Sequence, residues 1–69
     1  MKKQKVYVVI WELIGRCSGV SAIFYEEKDA LNHVAISYPD YVPQHNKDER
    51  VVAWMLGDER IRIDGCEIY

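Results

Sequence analysis

Residues 6–14 read Val-Tyr-Val-Val-Ile-Trp-Glu-Leu-Ile, with one polar side chain among nine. Beta-branched and aromatic residues dominate, which favours a strand. Alternation puts Val6, Val8, Ile10 and Ile14 on one face and Tyr7, Val9, Trp11 and Leu13 on the other. A strand wetted on one side alternates apolar with polar. This one is apolar on both sides, so it is expected in the middle of a sheet with a cover on each face.

The rest of the chain offers little to supply two covers. Gly15-Arg16-Cys17-Ser18-Gly19 reads as a hairpin loop, and residues 20–25 as a second strand antiparallel to the first. Residues 26–37 read as a helix. Glu26, Glu27 and Asp29 crowd its first turn, Leu31, Val34, Ala35 and Tyr38 form an apolar stripe that Ala30 widens, and Pro39 ends it. No Ser, Thr, Asp or Asn marks its start. Residues 39–49 read as a long polar loop with two prolines. Residues 50–56 form a third strand, apolar on both faces, and Gly57-Asp58 fits a two-residue turn. In residues 60–63 the apolar side chains are Ile61 and Ile63. After Gly65 the phase changes to Cys66 and Ile68, which suggests a bulge or a turn.

The predicted fold is α+β, ββαββ: a four-stranded antiparallel sheet with one helix packed on one face, as a single domain over residues 1–69. One helix covers one face. Tyr7, Val9, Trp11 and Leu13, with one face of residues 51–56, are therefore expected to lie uncovered and to form an interface. It would be sealed by a second copy, by a target protein or by the 39–49 loop.

Size and charge narrow the function. A core this small supplies roughly 3–5 kcal/mol net, and a pocket enclosing a small molecule needs about 300–1,000 Å³. The formal net charge is −2, too small to mark the whole chain as a nucleic-acid binder. Lys2, Lys3, Lys5 and Arg16 face Glu12 alone in the first 25 residues, whereas five basic side chains meet ten acidic ones in the rest. The apolar run is too short for a membrane span or a secretion signal, so a cytoplasmic protein with no membrane partner is expected. Cys17 and Cys66 are then expected as free thiols.

Residue patterns argue against catalysis and cofactors. His33, His45, Cys17 and Cys66 fall in no metal-ligand spacing. Cys17 and Ser18 lack a signature that would bring a base to them. The paired acids Glu26-Glu27, Asp48-Glu49 and Asp58-Glu59 are ordinary turn and helix-start residues. Gly15 to Gly19 lacks the lysine of a phosphate loop. No enzyme activity, cofactor or metal is expected. A basic patch of Lys2, Lys3, Lys5, Arg16, Arg60 and Arg62 would support the alternative of a small nucleic-acid- or nucleotide-binding protein.

Aromatic residues make up 12% of the chain, and tryptophan and tyrosine are enriched at binding hot spots. The expected partner-binding set is Tyr7, Val9, Trp11 and Trp54 on the uncovered face, Tyr41 as a loop anchor between two prolines, and a rim of Asp40, Asp48, Glu49, Asp58 and Glu59. The start MKKQK, the strand YVVIWE, the helix start Glu-Glu-Lys-Asp-Ala-Leu and the hairpin VVAWMLGDERIRI together resemble small accessory proteins of bacteriophages and mobile elements. That resemblance is one of architecture and transfers no functional residue. It implies a non-enzymatic inhibitor or modulator that occupies the surface of a host bacterial protein, alone or as a homodimer.

Overall fold

The computed structural model describes residues 4–68, so Lys2, Lys3 and Tyr69 lie outside the described residues. Five strands and one helix follow in the order β1 (Gln4–Leu13), β2 (Cys17–Phe24), α1 (Glu27–Ser37), β3 (Val42–His45), β4 (Val51–Leu56) and β5 (Glu59–Ile68). They form one antiparallel sheet in the order β2-β1-β5-β4-β3. The α+β class and the single helix match the sequence reading, but the sheet has five strands rather than four.

The fifth strand is Val42-Pro43-Gln44-His45, inside the stretch expected to be a loop. Every residue of it is exposed, so it carries no apolar alternation to betray it. Pro43 lacks an N–H, which an edge strand tolerates because one side of its backbone faces solvent. The turn to β4 is built by Asn46, whose side-chain oxygen accepts the backbone N–H groups of Asp48 (2.9 Å) and Arg50 (3.1 Å).

β1 is an interior strand, as expected, but β5 rather than β1 is the middle of the five and only one face of β1 is covered by the helix. β1 pairs with β2 on one side and β5 on the other. The β5 pairing keeps one register from Gln4↔Ile68 to Leu13↔Glu59, so the bulge or turn expected at Gly65 is absent. Gly65 sits opposite Tyr7 on the helix side of the sheet. A Cβ there would lie 2.7 Å from Lys5 Cε, so glycine makes room for the Lys5 side chain, whose Nζ lies over the Tyr7 ring. The apparent phase change arises because Cys66 pairs with Val6 on the opposite face. Gly57 has φ +60° and opens the two-residue turn between β4 and β5, as expected.

α1 packs chiefly on β1 and β2. Its buried residues are Ala30 and Val34, which meet Val9 and Ile61 in the core. The helix is rotated from the predicted stripe: Leu31 is 41% exposed and Ala35 is exposed, while His33 turns inward against Phe24. A small residue at position 30 allows this close approach to the sheet. The N-cap position holds Glu26 in extended geometry with no side-chain capping bond. Glu26→Asn should therefore stabilise the domain by about 1 kcal/mol, read as a rise of roughly 4–8 °C in melting temperature.

Candidate interaction surface

The covered face is the one expected to be bare. Val9 is fully buried, and Tyr7, Trp11 and Trp54 pack half-buried around the Val9–Ala30–Val34–Ile61 cluster. The reason is size: the face with the larger aromatic side chains buries more area beneath the single helix. Trp11 Nε1 donates a hydrogen bond to Glu59 Oε1 at 3.0 Å. Tyr41 packs on the same core, edge-on to Tyr38 at 5.3 Å, so it is not an exposed anchor. Burial chiefly, and then its hydrogen bond to the Glu59 carboxylate, push the Tyr41 phenol above its usual range. Glu59 is thus a half-buried acceptor for the core rather than a rim acid. Asp40, Asp48, Glu49 and Asp58 are exposed; Asp48 and Glu49 share the β3–β4 turn, whereas Asp40 precedes β3 and Asp58 lies in the β4–β5 turn.

The face left bare carries the other side of each strand. Cross-strand partners share a face, so the registers place Val8, Ile10 and Glu12 of β1 beside Ile23, Val20 and Ser18 of β2. They place Asp64, Arg62 and Arg60 of β5 on the other side of that row. Met55 of β4 stands beside Arg60, and Val42 of β3 stands beside Met55. The result is three stripes: apolar on β1 and β2, charged on β5, apolar again on β4 and β3. Val20, Ile23 and Val42 are 63%, 59% and 58% exposed. Sequence reading separated this face from the other but put the helix over it.

The charged stripe is neutral within itself. Glu12 Oε1 accepts from Arg60 Nη2 at 2.9 Å and from Arg62 Nε at 2.6 Å, and Arg62 also pairs with Asp64. The hydrogen bonds from Arg60 and then Arg62 hold the Glu12 carboxyl below its usual value of 4.5. A lowered folded-state pKa gives stability that is present above the unfolded value and lost as pH falls through the folded one. The stability difference between wild type and Glu12→Gln, measured as the urea midpoint, should therefore shrink as the pH drops below 4.5. Of the expected basic patch, Lys2 and Lys3 lie outside the described residues and Arg16 lies in the β1–β2 turn. Arg60 and Arg62 are paired on the bare face, and Lys5 lies on the helix side over Tyr7.

Two further features lie on the helix side. An open groove of about 530 Å³ runs between α1 and the β3–β4 hairpin, over Tyr7, Leu31, Val52, Trp54 and Ile63. Its charges balance: Lys5 and Arg50 against Glu27 and Asp48. Near the β2 edge, Ser21 Oγ lies 2.7 Å from the Tyr38 hydroxyl and 3.4 Å from His33 Nε2, with Ser37 Oγ 3.4 Å from His33 Nδ1. Both His33 contacts are at the long limit of a hydrogen bond. The cluster ties α1 to β2 rather than assembling an activated nucleophile. Cys17 and Cys66 are free and exposed, and among the described residues no group of three His, Cys, Asp or Glu side chains could hold a metal ion. No helix among the described residues is long and apolar enough to cross a membrane. Comparison of the chain with protein-family models, with curated proteins and with solved structures returned no match.

Proposed function

We propose that the chain is a non-enzymatic protein-binding module that docks through its bare sheet face. The observation that carries this reading is the pair of apolar stripes flanking a charge row that is already satisfied. Covering Val8, Ile10, Val20, Ile23, Met55 and Val42 removes apolar surface from water, at roughly 25 cal/mol per Å² before the costs of association. The Glu12–Arg60–Arg62–Asp64 row keeps its partners when covered, so it does not leave a lone charge desolvated. In line with the architectural resemblance to phage accessory proteins, the partner would be a host bacterial protein in the cytoplasm, with inhibition or modulation as the outcome.

The test compares three baits in affinity capture from a bacterial lysate: wild type, Val8→Lys/Val42→Lys on the bare face, and Leu31→Lys in the helix-side groove. Circular dichroism first establishes that all three are folded. A protein held by wild type and by Leu31→Lys, but released by the face variant, supports the reading. A protein held by the face variant and released by Leu31→Lys moves the docking site to the groove and overturns it.

The nucleic-acid reading has less to stand on, because the two arginines expected to meet phosphate are occupied by carboxylates. Binding that weakens steeply with salt would be its signature.

A further inference from the structure

The sheet is split along one of its inner seams. β5 is ten residues long, but its pairing with β4 covers only Trp54↔Ile61, Met55↔Arg60 and Leu56↔Glu59. Beyond Ile61, β5 is paired on its β1 side alone, as far as Ile68. The first residues of β4 pair only with β3, Val51 with His45 and Ala53 with Gln44. Two strand edges therefore diverge from Trp54 and Ile61 in the interior of the sheet, each with backbone donors and acceptors that no strand meets. The groove of about 530 Å³ lies over this split, with Ile63 and Gly65 on one bank, Val51 and Val52 on the other, and Leu31 of α1 lining it as well.

We infer that the split is a slot for an extended segment of another protein, which adds to β5 as an antiparallel strand opposite residues 62–66. An unpaired strand edge is filled by another main chain, with side-chain pockets at every second residue setting the choice of segment. A strand of about five residues buries less than the roughly 1,200 Å² of a stable complex. The slot is therefore a second, weaker site, independent of docking through the bare face.

The side chains of the slot define the segment. Ile63 and Gly65 face the helix side, so they set two inward positions on the segment, two residues apart. Around Ile63 the groove is apolar, with Tyr7, Trp54, Val52 and Leu31, and the last two are exposed. That position takes a large apolar side chain. At Gly65 the groove is cationic. Gly65 lacks the Cβ that would stand 2.7 Å from Lys5 Cε, so the end of Lys5 lies across β5 and brings its ammonium to the slot. Among the described residues neither Lys5 nor Arg50, on the opposite bank, has a carboxylate in ion-pair contact. That position takes a carboxylate. Glu27 and Asp48 also line the groove and are exposed; they disfavour a run of acids, which limits the segment to one. Antiparallel to β5, the segment reads Glu-x-Phe, with the glutamate at the open mouth and the ring toward the closed end at Trp54 and Ile61.

Nuclear magnetic resonance on the full isotope-labelled chain tests this with a capped heptapeptide, Thr-Val-Glu-Thr-Phe-Val-Thr, and its versions with leucine, isoleucine, tyrosine or tryptophan for the phenylalanine. Saturable binding is expected, with alternate amides of residues 62–66 gaining protection from hydrogen exchange and the Trp54 indole signal shifted. The same peptide N-methylated along its backbone keeps its side chains and should not bind. Leu31→Lys should weaken binding by about tenfold or more. Lys5→Glu should do the same, and a lysine in place of the peptide's glutamate should restore binding to that variant. Val8→Lys/Val42→Lys should bind as wild type does, which keeps this site distinct from the bare face. Circular dichroism of each variant reads the fold separately. Full protection of residues 62–66 in the free chain overturns the inference, because the slot would be closed. So does the absence of saturable binding across the peptide series, or equal binding of the N-methylated peptide, which would leave only a side-chain pocket. A two-chain mass in light scattering that Leu31→Lys returns to one chain would give the slot to a second copy and overturn it as well.

Discussion

Trp11→Ala is expected to leave the chain without a cooperative fold. The ring packs against the buried cluster of Val9, Ala30, Val34 and Ile61, and its N–H is held by Glu59. Truncating a core tryptophan costs about 3–5 kcal/mol, and a domain of this size holds roughly 3–5 kcal/mol in total. The substitution therefore removes most or all of the margin. Trp11→Phe keeps most of the ring and loses the hydrogen bond, at about 1 kcal/mol. Far-ultraviolet circular dichroism and urea titration separate the two outcomes. A Trp11→Ala chain that unfolds at the wild-type midpoint would place this side chain outside the core.

Ile61→Ala should come next in severity, at about 2–5 kcal/mol, with Ile61→Val limited to about 0.5–1.5. Ile61 is fully buried and pairs with both Trp11 of β1 and Trp54 of β4. Truncation to alanine at this crossing leaves a void that three elements would have to close together, and two of them are fixed by backbone pairing. The gap between the valine and alanine variants, read from urea midpoints at constant slope, measures how little the site can collapse. Equal midpoints for the two variants would show that the neighbours close over the space.

Much of this was legible in the residues. The two-sided apolar character of β1 placed it in the interior of the sheet, though not at its middle, and the acidic start and Pro39 bounded α1. The glycine-first turn at Gly57 was set by its need for positive φ. β3 was hidden because a wholly exposed edge strand with a proline has no pattern to read. The covered face was misassigned because strand periodicity separates two faces without ranking them. The ranking came from volume, with Tyr7, Trp11 and Trp54 drawn under the helix, and from Ala30, small enough to let it approach. Glu59 and Tyr41 looked like surface groups in sequence. Glu59 depends on a contact with Trp11 across 48 residues, and Tyr41 on packing against the same core, neither of which any local pattern contains.

That separation has a kinetic consequence. β1 and β5, which pair inside the sheet, come from opposite ends of the described chain. Hairpins β1–β2 and β4–β5 can form early, but neither owns a core until the far segment arrives. Loop closure on this scale places folding toward the slow side for a small domain. A nascent chain emerging from the ribosome would hold its stickiest strand, residues 6–14, unpaired along one edge until nearly the whole sheet had been synthesised.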